Sequence, residues 1–328
     1  MKQIEQQIFI GGCSRSGTTL LGAMLGAHSA AICTPESHFK IDVLRSSAVQ
    51  NDQLDMAAAT DFINRHWRFQ IWEMPLEVDH DISPAFPSLM NAIASQYAAK
   101  VGRPDASIWI DHTPENISYT HTLLAQFPQA KMIHLVRDGR AVAASIMPLD
   151  WGPNSIIKAS RWWMRMVSFG LAAESTFGPQ KVMQIRYEDL VQNPAGSLQK
   201  ICRFLNLDYT PDMTKATGFI APRYTTRQHS FIGKEPDAAL ATRWQNKLKP
   251  RDIEIFENMT RDFLIFLGYP LQYGLKGKGP SFMEIQKGKV SELVHGEIMN
   301  KVKWLIRSYP LWLKRDFYRN ARLSDTNN

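Results

Sequence analysis

The segment Gly12-Cys13-Ser14-Arg15-Ser16-Gly17-Thr18-Thr19 constrains this chain more than any other. It follows a short apolar run, Gln7 to Ile10, and precedes the helix-like stretch Thr18 to Leu25. A strand, a tight glycine turn and a helix open an α/β fold. The glycine spacing matches the nucleotide-binding pattern G-x-x-x-x-G-K-[ST], and Thr19 supplies its last position. The lysine is missing, because Thr18 stands there. The backbone logic survives without it: successive N–H groups and the start of a helix still cradle a phosphate-like anion. Arg15, inside the loop, returns a cation. That arrangement suits a nucleotide with one phosphate-like bridge at its 5′ end better than a triphosphate held with magnesium.

The rest of the chain continues the alternation. Ala31 to Cys33, Ser107 to Asp111, Ala130 to Val136 and Val182 to Arg186 are further candidate strands, and 141–145 and 196–206 are helical. Strands alternating with helices predict a parallel sheet whose ligand sits at the strands' carboxyl ends. Residues 41–106 mix helix-like patches with Trp67, Trp72, Pro75, Pro84 and Pro87. They are expected to form a helical insertion over the acceptor site. The expected organisation is one α/β domain, 1–275, of the phosphate-loop type with helices flanking the sheet, and a helical C-terminal extension, 276–328.

Four strings together resemble the sulfotransferases that use 3′-phosphoadenosine 5′-phosphosulfate (PAPS), in the branch holding bacterial and tyrosylprotein enzymes. Ser14-Arg15-Ser16-Gly17-Thr18-Thr19-Leu20 is similar to the loop that holds the 5′-phosphosulfate. Phe127 to Ser145, containing Val136-Arg137-Asp138-Gly139-Arg140, resembles the 3′-phosphate motif. Ile185-Arg186-Tyr187-Glu188-Asp189-Leu190 is the third, and Ser230 to Lys234 followed by Arg243-Trp244 the fourth. The likeness spans roughly residues 7 to 272.

The resemblance implies roles. Arg15, Ser16, Gly17, Thr18 and Thr19 hold the phosphosulfate. Arg137 and Ser145 bind the 3′-phosphate, Tyr187 touches the nucleotide, Ser230 lies near the bridging oxygen and Arg243 near the phosphate. Glu36, in Thr34-Pro35-Glu36-Ser37-His38, matches the glutamate base. A carboxylate screened from water is expected to have a raised pKa suited to taking a proton. His112 stands where related enzymes often carry a lysine. As a histidinium it would stabilise the sulfuryl group; as a neutral ring it is a second base candidate. His38 and His134 are expected to be structural.

Rival readings make distinct demands. A P-loop kinase needs the absent lysine and a magnesium-binding aspartate. A non-catalytic nucleotide-binding or scaffold protein would have lost Glu36, Arg15, Arg137 and Ser145. PAPS is therefore the expected co-substrate, with no metal and no nucleic-acid partner. The acceptor is expected to be a hydroxyl, of a carbohydrate or glycolipid by preference. A tyrosyl peptide or a small molecule is the alternative. Trp67, Trp72, Trp109, Trp151, Trp162 and Trp163 are candidates for stacking on sugar rings.

The net charge is +7, a mild surplus that fits an anionic ligand or surface. Cys13, Cys33 and Cys202 have no metal-ligand spacing and suggest no disulfide framework. With no signal-like or spanning apolar run, a cytoplasmic enzyme is expected. The C-terminal segment has Val290, Val294, Ile298 and Val302 at helical spacing. Lys301, Lys303, Arg307, Lys314 and Arg315 follow among Trp304, Trp312 and Phe317. This basic amphipathic pattern allows peripheral contact with an anionic membrane.

Overall fold

The computed structural model describes residues 3–50, 53–78, 83–222, 233, 236–303 and 305–306, without the side chains of 296–297. Two compact units are present: Met1–Asp138 with Arg165–Thr242, and Gly139–Met164 with Arg243–Asn328.

The first unit carries the sheet. Its strands are β1 (Gln6–Gly12), β2 (Ala31–Thr34), β3 (Ile108–Asp111), β4 (Lys131–Val136) and β5 (Val182–Arg186). All neighbours are parallel, in the order β2-β3-β1-β4-β5. Central β1 pairs Ile8 with Ile110 of β3 and Ile10 with Ile133 of β4. These strands are covered on both faces, which is why they read as unbroken apolar runs rather than alternating ones. Ile8, Ile10, Leu21, Ile110, Ile133 and Leu198 belong to one buried cluster. The chain leaves β1 toward β2 on one side and reaches β4 on the other. The carboxyl end of β1 is thus a switch point, where a ligand crevice opens in such sheets.

Helix α1 (Thr18–Gly26) begins directly after the glycine loop. Two glycines before the loop are fixed by close approach. A Cβ at Gly11 would lie 2.4 Å from the Ile117 nitrogen, and one at Gly12 would lie 2.2 Å from the Leu135 carbonyl oxygen. Any side chain there would force β1 off its neighbours.

The stretch expected as a helical insertion contains helices Met56–Arg65 and Phe86–Lys100, shorter ones at Phe39–Leu44 and Trp67–Gln70, and a two-residue antiparallel ladder, Val49–Gln50 with Gln53–Leu54. Phe39 packs edge-on against both Phe69 and Trp72, which ties the insertion to the end of β2. Three of the tryptophans expected to stack on sugars are core residues instead. Trp72, Trp109 and Trp163 are fully buried, whereas Trp67 and Trp151 are exposed. An indole is the largest apolar side chain, and burying it adds a large area to the core.

The second unit is helical. Its elements include Gly139–Ile146, the long helix Pro250–Phe266 and the C-terminal Phe282–Ser291. Arg140 and Glu257 form a buried ion pair at 2.5 Å, and the guanidinium lies over the Trp244 ring at 4.2 Å. Glu257 also accepts the backbone N–H groups of Gln272 and Tyr273, so its remaining lone pairs are occupied. Burying a carboxylate is costly unless its oxygens are paired and hydrogen-bonded.

Candidate active site

The glycine loop closes over itself before α1 begins. Ser16 N–H donates to the Cys13 carbonyl at 3.0 Å, and the first helical bond runs from Leu21 N–H to Gly17 O at 3.1 Å. Ser16 N–H is therefore engaged within the loop. The N–H groups of Thr18, Thr19 and Leu20 open the helix and have no acceptor within it. Gly17 takes a φ of 99° and Arg15 a φ of 75°. A left-handed arginine is uncommon, and here it turns the loop so that its carbonyl faces Arg137. The hydroxyl of Ser16 is buried and has no hydrogen-bond partner among the described residues. An orphaned buried hydroxyl beside open helix N–H groups fits a bound oxyanion.

Strand ends complete this half of the site. Arg137, just past β4, donates from Nη1 to the Arg15 carbonyl at 2.9 Å and from Nη2 to the Leu240 carbonyl at 3.2 Å. Its guanidinium stacks 4.2 Å from the centre of the Tyr187 ring, at the end of β5. That ring lies against Gly17, where a Cβ would come within 2.6 Å of Cδ2. Arg15, Gly17, Arg137 and Tyr187 thus form one assembly. Ser145, half-buried on the helix Gly139–Ile146, and the exposed Arg243, in the turn Arg243–Asn246, belong to the second unit. Ser230 lies outside the described residues.

The other half of the site gathers at the ends of β2 and β3. The Glu36 carboxylate is one-third exposed, 3.0 Å from His38 Nε2 and 3.6 Å from Arg68 Nη1. Trp72 Nε1 donates to the Glu36 backbone carbonyl at 3.5 Å, which holds the turn. Its charge also acts on Arg15 and on His112, so it sits within range of both halves. The expected raised pKa is not found. Burial pushes the carboxyl up, but the His38 hydrogen bond and the charges of His38, His112 and Arg68 outweigh it, leaving it at about 2. Two of those charges exist only while the histidines are protonated.

His112 is fully buried, with its ring edge-on to Phe219 at 4.8 Å and its Cβ close against Gly22 of α1. Neither ring nitrogen has a hydrogen-bond partner among the described residues. Burial lowers its pKa, against the pull of Glu36 and Asp111. The ring is therefore neutral near pH 7, which argues against a standing histidinium in the lysine position. His38 bridges Glu36 and, at 3.8 Å, Glu115, a supporting role. His134 is core, bonded to Glu174 at 2.5 Å.

Beneath both Glu36 and His112 lies a buried ion pair that sequence reasoning missed. Lys40 Nζ is 2.9 Å from Asp111 Oδ2, and both side chains are essentially without solvent. Asp111 also accepts from the Ser37 hydroxyl, from Thr113 N–H at 2.9 Å and from the Thr113 hydroxyl at 2.6 Å. Ser37 N–H in turn donates to Thr113 Oγ1 at 2.9 Å. Burial pushes the Asp111 carboxyl up, but Lys40 and the three hydrogen bonds hold it well below the usual range. The network pins the residues that flank Glu36 and His112. In the sequence Lys40 looks like an ordinary surface lysine; only the charged end of β3 hints at its partner.

Comparison with known proteins agrees with this geometry. The model of the sulfotransferase family matches residues 7–211. The chain belongs to the sulfotransferase family. It is accordingly an enzyme of the PAPS-dependent sulfotransferase class. Among its relatives, protein-tyrosine sulfotransferase 1 of Danio rerio is 25% identical over 289 residues, 81% of this chain and 74% of that protein. The Mus musculus protein-tyrosine sulfotransferase 1 is likewise 25% identical, over 81% of this chain and 72% of its own length. Among solved structures, the sulfotransferase domain of the Synechococcus PCC 7002 olefin synthase aligns with a TM-score of 0.55 at 24% identity, covering 83% of this chain and 97% of that one. That last likeness is one of fold.

Proposed function

We propose that this sulfotransferase moves the sulfuryl group of PAPS onto a phenolic hydroxyl, that of a tyrosyl residue in a peptide, with Glu36 as the general base. The observation that carries the proposal is the position of Glu36, a partly exposed carboxylate acting on both Arg15 of the phosphate loop and His112. During transfer a bond forms between the acceptor oxygen and sulfur. The bond from sulfur to the bridging oxygen breaks, and the acceptor proton passes to Glu36. The negative charge that grows on the leaving phosphate meets Arg15 and the N–H groups at the start of α1. By the resemblance, Arg137 is assigned the 3′-phosphate and Tyr187 a nucleotide contact.

The acceptor choice rests on two supports. The named relatives act on protein tyrosine, which favours the tyrosyl alternative over the carbohydrate or glycolipid expected from the sequence. The base itself points the same way. A carboxyl lowered by the His38 hydrogen bond and the Arg68 charge is a weak proton acceptor. A phenol with a pKa of about 10 gives up its proton far more readily than a water-like hydroxyl near 16. The test is labelled donor offered to tyrosyl peptides, simple phenols and oligosaccharides in parallel. Transfer to the tyrosyl peptide is expected. Transfer to sugar hydroxyls alone would overturn the acceptor assignment.

A further inference from the structure

The C-terminal helix of the second unit is inverted with respect to ordinary amphipathic packing. Phe282–Ser291 continues as a wider π-type stretch, Glu292–Met299. A surface helix normally buries its apolar stripe and exposes its charges. Here Glu284, Glu292 and Asn300 face inward. Glu292 accepts from Asn154 N–H at 2.7 Å and from the Ser155 hydroxyl at 2.9 Å, and pairs with Lys158 at 2.8 Å. Asn300 is buried and donates to Asn154 Oδ1 at 2.9 Å. Glu284 is held by Arg251 at 2.8 Å and by its own capping box with Ser281. The apolar residues face outward: Phe282, Met283, Leu293, Ile298 and Ile306 all have well over half of their surface exposed.

Charge separates along with hydrophobicity. Lys287, Lys289 and Lys303 are exposed on this helix, while Glu284 and Glu292 are committed to internal pairs. The sequence beyond adds Arg307, Lys314, Arg315, Arg319 and Arg322 against the acids Asp316 and Asp325, interleaved with Trp312, Phe317 and Tyr318. Tryptophan and tyrosine are enriched where an apolar phase meets water. No helix among the described residues is long and apolar enough to cross a membrane.

We propose that this exposed apolar and lysine-bearing helical face docks on an anionic lipid bilayer, lying in the plane of its surface. A second copy of the chain is the poorer occupant. A symmetric self-contact brings the same patch against itself, lysine facing lysine. An anionic headgroup layer complements the lysines, and the acyl boundary below it accepts the apolar side chains.

The experiment is co-sedimentation of the full chain with phosphatidylcholine vesicles, with and without about one third phosphatidylglycerol. Binding is expected only to the anionic vesicles. Each exposed cation is worth about fivefold in partitioning, so Lys287→Gln, Lys289→Gln and Lys303→Gln together should weaken it by about a hundredfold. A second variant carries Phe282→Gln, Met283→Gln, Leu293→Gln, Ile298→Gln and Ile306→Gln. It keeps every cation and should still lose about tenfold or more. Glutamine is a good helix former, so both variants should unfold at the parent temperature and bind adenosine 3′,5′-bisphosphate as before. Three results would overturn the proposal: no binding to anionic vesicles, equal binding to neutral ones, or unchanged binding by either variant. A dimer in light scattering that the apolar variant converts to monomer, without vesicle binding, would assign the face to a second copy instead.

Discussion

The two halves of the site are built by different means. The proposed donor half is a cradle of backbone: a contiguous loop from Gly12 to Thr19, open N–H groups of α1, and Arg137 and Tyr187 added from the ends of β4 and β5. The proposed acceptor half is a cluster of ionisable side chains drawn from separate segments, with Glu36 and Lys40 after β2, Arg68 from the insertion, and Asp111 and His112 at the end of β3. Backbone cradles need glycine where the chain comes too close, and they hold their shape through hydrogen bonds along the chain. Charge clusters need mutual neutralisation, and they depend on distant elements arriving together.

Substitutions separate the two halves. Glu36→Gln keeps shape and hydrogen bonding but takes no proton. It should lower single-turnover transfer by about 10²–10⁴-fold and leave adenosine 3′,5′-bisphosphate affinity nearly unchanged in calorimetry. A parallel loss of nucleotide affinity would show that the halves are not separable. If turnover persisted while His112→Ala abolished it, the base would be His112.

Lys40→Met strips the buried Asp111 charge of its partner. Unfolding in urea should show a loss of about 3–5 kcal/mol. Adding Asp111→Leu should recover part of this, because an apolar pair replaces an uncompensated charge. Recovery stays incomplete, since the Ser37 and Thr113 hydroxyls lose their acceptor. A single variant as stable as the parent would remove the ion pair from the support of the acceptor half.

On the donor side, Arg137→Ala should weaken binding of the 3′,5′-bisphosphate by about 1.5–3 kcal/mol. A nucleotide without the 3′-phosphate should lose less, but not nothing, because Arg137 also holds the Arg15 carbonyl. Equal losses for both nucleotides would confine Arg137 to shaping the loop.

Legibility in the sequence follows the same division. The loop, its flanking strand and helix, and the strand ends that carry Arg137 and Tyr187 are local patterns, and each lies where its motif puts it. The parallel sheet follows from runs such as Lys131–Val136 that lack alternation. Glu36 and His112 were legible as residues but not in their electrostatics. The low carboxyl pKa depends on His38 and Arg68, and nothing in the sequence places Arg68 within 3.6 Å of Glu36. The Lys40–Asp111 pair was invisible for the same reason. The tryptophans failed differently: composition cannot tell a ring in the core from one awaiting a ligand.

The smallest expected effect tests how deeply the acceptor half is closed to water when no substrate is bound. Burial depresses the His112 pKa, so the folded chain refuses a proton that the unfolded chain accepts. Above the ordinary histidine value of about 6.5 neither state is protonated, and His112 adds no pH dependence. As the pH falls below it, the unfolded state gains protons first. Stability should then decline, by at most about 1.4 kcal/mol per pH unit for one group, until the folded pKa is reached. Glu36 acts in a separate window. Its carboxyl lies at about 2 instead of 4.5, so the stability it adds is present above 4.5 and lost only as the pH falls from there toward 2. His28 and His66 are also depressed by burial and share the upper window. The informative quantity is therefore the difference between parent and His112→Met, which fills similar space and has no ring nitrogens to strand. Urea unfolding between about pH 7.5 and 5 should show a shallower acid slope for the variant. Identical slopes would mean that water reaches His112 in the free protein, and that the acceptor half is open until substrate closes it.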